Sequence, residues 1–388
     1  MKYFSYLNTA VDIIGSYTGH HPFHFLIKDF FRQHKKYGST DRKTITHLCY
    51  CYFRLGRSLS NIPRSEKILI ALFFCSTRPH DMLARLKPEW NEKTGASLRE
   101  KCACAGIPYE SLTIFPPVSG LSTGIDKDDF IRSHLHQPDV FLRTRPGCRQ
   151  VVVQKLEAAK IIFSIIGEHC IALPNTTPVD GILTINKEAV IQDYSSQQAG
   201  AFLQLVTDTA TPIKIWDCCA ASGGKSIMAK DILGNIDLTV SDIRESVLVN
   251  LTKRFAEAGI NGYTTQLADL TAARSPFAPG SFQVIIADLP CTGSGTWGRT
   301  PERLSFFDEN EIERYRHRQE KIVQTVMPGL ANGGYFLYIT CSVFEQENEG
   351  MVRFIEDNFP VKRVKMEVLC GYPLKADTLF AAMLKKNG

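Results

Sequence analysis

Two short segments carry side chains suited to covalent chemistry. Asp288-Leu289-Pro290-Cys291 and Thr340-Cys341-Ser342 each place a cysteine directly after an apolar β-type run, Phe282 to Ala287 and Tyr335 to Ile339. A strand-end thiol near a helix N-terminus and a lysine can be partly thiolate at neutral pH, and the thiolate is the nucleophile. Inert burial is the ordinary fate of a lone cysteine, and it is the reading for Cys49, Cys75, Cys170 and Cys370. For Cys291 and Cys341 the shared strand-end position outweighs it. A third segment, Asp217 to Ser226, is a glycine-containing turn followed by a helical run. Glycines there let backbone amides approach a ligand, and the helix N-terminus favours negative charge. Asp242 ends the next apolar run, where a carboxylate accepts hydrogen bonds from ribose hydroxyls, and Asp269 follows the third and suits an adenine amino group. Three acidic strand ends in order after such a turn predict an adenosine-containing cofactor.

Two rival readings attach to the same turn. Gly223-Gly224-Lys225-Ser226 matches the end of a phosphate-binding P-loop, but Cys219 stands where that loop needs its first glycine, which disfavours a nucleotide triphosphatase. A plain tight turn before a helix leaves Asp217 and Lys225 without a purpose.

These segments need a scaffold. After Gln198, β-type runs at Ile213 to Trp216, Leu238 to Val240, Phe282 to Ala287 and Tyr335 to Ile339 alternate with helical stretches at Lys225 to Leu233, Ser246 to Ala258, Glu309 to Met327 and Glu345 to Asn358. That alternation predicts a largely parallel sheet wrapped by helices, with ligands at the carboxyl ends of the strands. Upstream, a short strand (Val140 to Thr144), a helix (Val151 to Ile162) and apolar runs around Ile171 and Ile182 predict a small α/β module. The first hundred residues read as helices, with a run from Arg42 to Leu59 and a second capped by Ser65. Pro116 to Asp126 reads as a linker. The expected domains are 1–127, 128–198 and 199–388.

The 388 residues hold 45 Lys+Arg and 40 Asp+Glu. Residues 1–100 carry 16 basic and 8 acidic side chains, and the rest carry 29 and 32. A surplus confined to the helical segment suits a polyanionic partner, and equally a solvated basic surface. Hydrophobic residues at 44% and charged residues at 22% exclude a mainly disordered or fibrous chain. No apolar stretch reaches spanning length and no signal peptide is expected, so no membrane partner, a cytoplasmic location and reduced thiols are expected. The pairs Cys49/Cys51 and Cys102/Cys104 have one-residue gaps, unlike structural zinc sites, and no metal is expected.

The chemistry-bearing segments resemble the Sun (Fmu) family of RNA cytosine carbon-5 methyltransferases, from about Val190 to the C-terminus. The resemblance rests on Ile191 to Gln197, the Asp217 to Ser226 turn, Asp242, Asp269, Asp288 to Cys291, Thr340 to Ser342 with Glu345, Glu347, Asn348 and Glu349, and Phe380-Ala381-Ala382. It implies a Rossmann-like domain using S-adenosylmethionine (SAM), held by Cys219, Ala220, Ala221, Ser222, Gly223, Gly224, Lys225, Asp242, Asp269 and Asp288. It implies Cys341 as the nucleophile that adds to cytosine carbon 6, Cys291 in release of the methylated base, Asp288 at the ring nitrogen 3 edge, and Lys225 holding that carboxylate or the base. The helical segment is similar to the NusB-like domain of the family's bacterial 16S ribosomal RNA enzymes. That implies an RNA partner, ribosomal RNA ahead of transfer RNA, and a monomer; a non-catalytic RNA-binding or assembly factor is the alternative. Trp297-Gly298-Arg299 stacks on a neighbouring nucleotide or is core. Ser222 stands where the family usually has proline, and Val247 where it often has arginine, with Arg244 nearby.

Overall fold

The computed structural model describes residues 2–117, 120–207, 211–272 and 274–388. It falls into two compact units, where the sequence suggested three segments. The first comprises residues 1–119, 127–137 and 297–308; the second comprises 120–126, 138–296 and 309–388.

The first unit is helical: α1 (Lys2–Ser16), α2 (Phe23–Gln33), α3 (Ser39–Arg54), α4 (Arg64–Cys75), α5 (Asp81–Leu86), α6 (Pro88–Glu92), α7 (Leu98–Cys104) and α8 (Lys127–Ser133). Helix α3 stops earlier than the apolar spacing predicts, because Gly56 adopts a left-handed φ of 54° and a Cβ there would lie 2.0 Å from the Ile114 carbonyl oxygen. Helix α4 starts at Arg64 with Pro63 as its N-cap, so Ser65 lies inside the first turn. Segment 297–308 completes this core. Trp297 is buried, with its ring 5.3 Å from Phe115 and 4.7 Å from Phe307, and buried Glu302 accepts a hydrogen bond from the Phe23 amide at 3.1 Å. Trp297 is therefore a core side chain, and the nucleotide-stacking reading is withdrawn.

In the second unit, β1 (Val140–Thr144), α9 (Arg149–Ala158), β2 (Ser164–Ile166), β3 (Cys170–Leu173) and β4 (Ala189–Ile191) form a four-stranded antiparallel sheet in the order β2-β3-β1-β4 with a helix. The chain continues through α10 (Tyr194–Gln198), α11 (Gly200–Leu203), β5 (Ile213–Asp217), α12 (Gly224–Leu233), β6 (Ile236–Asp242), α13 (Glu245–Glu257), β7 (Tyr263–Leu267) and β8 (Phe282–Asp288). Then come α14 (Arg303–Phe306, within the helical unit), α15 (Asn310–Val326), β9 (Leu330–Thr340), α16 (Glu349–Asn358), β10 (Val361–Cys370) and β11 (Thr378–Lys386). The large sheet runs β10-β11-β9-β8-β5-β6-β7. Strands β7, β6, β5, β8 and β9 are parallel, and β11 and β10 add an antiparallel edge. Chain order reverses between β5 and β8, the switch point at which open α/β sheets hold ligands. Apolar clusters cover both faces, one centred on Ile215, Val240 and Phe255, the other on Trp216, Ile285 and Tyr338. This is the Rossmann-like arrangement expected.

Two expectations change. Residues 120–126 are no free linker: Leu121 bridges Phe344, and Ser122 and Glu345 amides donate to the Val343 and Gly120 carbonyls. Val118 and Ser119, also in that expected linker, lie outside the described residues. Helix α16 begins at Glu349 instead of 345, because Glu347 and Asn348 are buried and turn their side chains inward to bind the preceding loop. Among the described residues no helix is long and apolar enough to cross a membrane, and no group of three or more His, Cys, Asp or Glu is placed to hold a metal.

Candidate active site

Parallel strands β5, β8 and β9 end side by side, so Asp217, Asp288 and Thr340 deliver their following loops to one edge of the sheet. The two cysteines meet there, half-buried, with sulfurs 3.2 Å apart and no disulfide between them. The hydrogen bond with Cys341 and burial push the Cys291 thiol well up, with the Glu347 charge adding to the shift. Burial and the contact with Cys341 thus favour the protonated form of Cys291.

A buried carboxylate ties the two loops together. Glu347 Oε1 accepts from the Thr292 amide (3.0 Å) and Gln319 Nε2 (3.1 Å), while Oε2 accepts from the Thr292 hydroxyl (2.6 Å) and the Ser342 hydroxyl. Thr292 follows Cys291 and Ser342 follows Cys341, so this one side chain sets the separation of the thiols. Burial raises the Glu347 carboxyl above its ordinary range, against the opposing pull of these donors. The Gly295 amide donates to the Cys341 carbonyl at 2.9 Å, and a Cβ at Gly295 would lie 1.9 Å from the Thr378 carbonyl oxygen. Only glycine permits that approach. Asn348 Nδ2 adds bonds to the Ser342 carbonyl and the Ser122 hydroxyl.

Lys225, buried on the first turn of α12, donates to Asp288 Oδ2 at 2.9 Å and to Ser196 Oγ at 2.8 Å. Its partner Asp288 keeps its side chain about a third exposed and lines the same cavity as both cysteines. Ser196 lies on α10, which Asp193 anchors by accepting from the Asp377 amide. The residues sequence reasoning left without a role are Ser196, Glu347, Thr292 and Gln319. Ser196 and Glu347 sit inside segments already singled out; nothing local marks Thr292 or Gln319.

Beside the thiols opens a cavity of about 450 Å³, lined by Cys219, Ala221, Asp242, Ile243, Asp269 and Asp288 among others, with Cys291 and Cys341 in its wall. Ala221 takes a left-handed φ of 45° and its amide donates to Asp242 Oδ2 at 3.1 Å. Burial acts to raise the Asp242 carboxyl, but donors from Arg244 and the Ala221 amide outweigh it and hold the group low. Arg244 grips both Asp242 oxygens at 3.0 and 3.1 Å. Asp269, exposed, accepts from the Thr271 amide and hydroxyl.

Other residues expected around a cofactor stand back from the cavity. Ala220 is core; the Ser222 hydroxyl accepts from Arg254; Gly223, at φ 82°, packs so closely on Phe255 that a Cβ would lie 2.5 Å from the ring; Gly224 starts α12; and Lys225 is engaged with Asp288. Asp217 is fully buried, with Ser226 donating to Oδ2 at 2.6 Å and Oδ1 without a partner among the described residues. Burial pushes its carboxyl up to about 7.

Residues 204–372 match the family model described as 16S rRNA methyltransferase RsmB/F. Over this segment the chain is similar to the Sun/Fmu family. Ribosomal RNA small subunit methyltransferase B of Xylella fastidiosa is 26% identical over 208 residues, covering 53% of this chain and 48% of that protein. The mouse 28S rRNA (cytosine-C(5))-methyltransferase is 27% identical over 146 residues, 36% of this chain and 18% of that one. The chain spans about half the length of the bacterial relatives it matches. Among solved structures, PH0851 superposes with a TM-score of 0.69 at 16% identity, covering 98% of both chains. NSun6 from Pyrococcus horikoshii, solved with SFG, gives a TM-score of 0.57 at 12% identity over 67% of this chain and 94% of its own. Both likenesses carry the Rossmann-like methyltransferase fold.

Proposed function

We propose that this protein is a monomeric, cytoplasmic, SAM-dependent RNA cytosine carbon-5 methyltransferase acting on ribosomal RNA. The observation that carries the reading is the pair of sulfurs 3.2 Å apart, beside an Asp288 carboxylate pinned by Lys225, in the wall of a strand-end cavity. The family match of residues 204–372 and the names of the relatives support the chemistry and the ribosomal substrate.

The cavity fits SAM on its own terms. Its volume lies in the range of ordinary ligand sites. Asp242 and Asp269 offer carboxylates to hydroxyl and amino groups, and half-exposed Ile243 offers an apolar face to an adenine. Bound there, SAM supplies an electrophilic methyl group. The protein must make carbon 5 of cytosine nucleophilic. Cys341 does so by adding its sulfur to carbon 6, which turns the ring into an enamine. Asp288, fixed by Lys225, hydrogen-bonds the nitrogen 3 edge and stabilises the charge that develops there. After methylation, loss of the carbon 5 proton and breakage of the bond between sulfur and carbon 6 restore aromaticity and free Cys341. Cys291, its sulfur 3.2 Å from that of Cys341, acts in this release: once deprotonated it accepts the carbon 5 proton, the electrons of that bond re-form the ring double bond, and Cys341 leaves as the thiolate. A paired base hides both faces, so the cytosine must be single-stranded or flipped.

The test is a pair of substitutions assayed on RNA. Cys341→Ala abolishes methyl transfer, whereas Cys291→Ala accumulates a covalent RNA–protein adduct that survives denaturation. Full activity in Cys341→Ala refutes the nucleophile, and calorimetric binding of ATP in place of SAM refutes the cofactor. Bisulfite sequencing of total RNA from a deletion strain then names the modified position.

A further inference from the structure

We propose that the helical unit carries a phosphate-binding pocket for single-stranded RNA, built by Arg57, Arg64 and Lys67. The proposal rests on the RNA reading above and extends it to a second contact outside the catalytic cavity. A cavity of about 590 Å³ opens within this unit, between the end of α1, the end of α3 and the start of α4, with Phe306 closing one side. Three cations line it, and among the described residues no Asp or Glu does. Among the described residues none of the three forms an ion pair. Arg64 is exposed on the first turn of α4, and Glu66, the acid of that turn, does not line the cavity. Arg57 is exposed and spends two donors on the Ser305 and Phe307 carbonyls.

Lys67 is the unusual member. It is only 4% exposed, its Nζ donates to the Gly56 carbonyl at 3.0 Å and lies 4.6 Å above the Tyr52 ring, and no carboxylate balances it. A buried ammonium without a counter-ion is costly, and burial holds this amine down at about 8. An anion in the cavity supplies the missing charge. Two guanidinium forks and one ammonium match the several oxygens of a phosphate better than the two of a carboxylate. The volume exceeds one phosphate, and half-buried Tyr17 and Tyr52 in the lining leave room and an aromatic wall for the attached nucleoside. An RNA strand is the source the charge distribution favours, since the basic surplus of the chain lies in residues 1–100.

The experiment measures binding of the full chain to a short, fluorescein-labelled, cytosine-free single-stranded RNA by anisotropy over a salt series. The wild type is compared with Arg64→Gln and with Arg57→Gln/Arg64→Gln, and Lys67→Met serves as the buried probe where circular dichroism shows it folded. Each lost phosphate contact lowers the salt slope by about 0.7, which is about fivefold in affinity near 0.1 M salt and about 25-fold for the arginine pair. Unchanged affinity and slope in the folded double variant overturn the proposal. AMP and inorganic phosphate, titrated by calorimetry, separate the sources: binding of either, abolished by the double variant while RNA affinity is untouched, overturns the RNA assignment. Because the probe lacks cytosine, the methylation reading fails separately, by absence of methyl transfer from the wild type to any cytosine-containing RNA.

Discussion

Replacing Glu347 tests whether one buried carboxylate sets the geometry of both thiols. In Glu347→Ala four hydrogen bonds lose their acceptor, but the consequences differ by donor. The Thr292 and Ser342 hydroxyls lie 3.2 Å apart and re-pair with each other, and Gln319 Nε2 keeps the Pro290 carbonyl at 3.0 Å. Only the Thr292 amide is stranded, at about 1–3 kcal/mol, and the re-paired groups lose about 0.5–1.5 kcal/mol per bond. Relief of the buried charge offsets part of this, leaving about 3 kcal/mol, or a fall in Tm of about 6–12 °C for a domain of this size. Glu347→Gln can place its carbonyl oxygen toward the two N–H donors and its amide toward the two hydroxyls, which rotate to accept; the cost is within about 1 kcal/mol. Activity follows position: a 1 Å displacement of reacting groups costs about 10²-fold, expected in the alanine variant and largely absent in the glutamine one. A readout independent of RNA is the rate at which a mild oxidant joins Cys291 to Cys341, which drops in Glu347→Ala and persists in Glu347→Gln. An alanine variant with the wild-type Tm and the wild-type joining rate would refute the clamp.

Three further outcomes concern Asp217, the cofactor carboxylate and the helical core. Asp217 rises from 3.8 unfolded to about 7 folded, so the folded state resists its ionisation; stability is greatest below about pH 4 and declines as pH rises toward 7, by about 4 kcal/mol in all. Asp217→Asn removes that decline, so the gap between its Tm and that of the wild type shifts in its favour from pH 5 to pH 8, and parallel curves contradict the assignment. Arg244 grips Asp242 from an exposed position, a pairing worth about 0–1 kcal/mol; Arg244→Ala therefore tightens SAM binding by at most about fivefold in calorimetry, whereas Asp242→Ala weakens it, and a large loss from Arg244→Ala would make the arginine itself a ligand. A fragment of residues 1–137 lacks Trp297, Leu304 and Phe307, all buried in the helical core, and at about 1.5–3 kcal/mol each it should lose cooperative thermal unfolding; a sharp transition contradicts that.

The parts of the site that were legible in the sequence are those where local chemistry and period coincide. The alternation of apolar runs with helical stretches fixes which residues end strands, and so places Asp242, Asp288, Cys291 and Cys341 at one edge. Strand β11 was visible only as Phe380-Ala381-Ala382, and β10 not at all. Its burial alternates weakly, with Lys362, Arg363 and Lys365 exposed on an edge strand, so no hydrophobic period announces it. The Glu347 clamp was hidden differently: its sequence reads as helix, and only the turn that precedes α16 aims Glu347 and Asn348 inward.

The domain boundaries show the deeper limit. Composition marks a change near Pro116, and a sequence reading naturally assigns everything after Gln198 to the catalytic domain. Yet Trp297, Leu304 and Phe307 lie buried in the helical core, while 120–126 pairs with the loop after Cys341. A Trp six residues beyond Cys291 invites a functional role, but an indole seals a core wherever the topology takes it, and Phe115, against which it packs, is far away in sequence. Periodicity reports which face of an element is apolar; it carries no information on which unit that face is buried in. For this chain the return of 297–308 to the helical unit is what converts the apparent substrate contact Trp297 into a packing residue, and it leaves Cys291, Cys341, Asp288 and Lys225 as the group on which the chemistry rests.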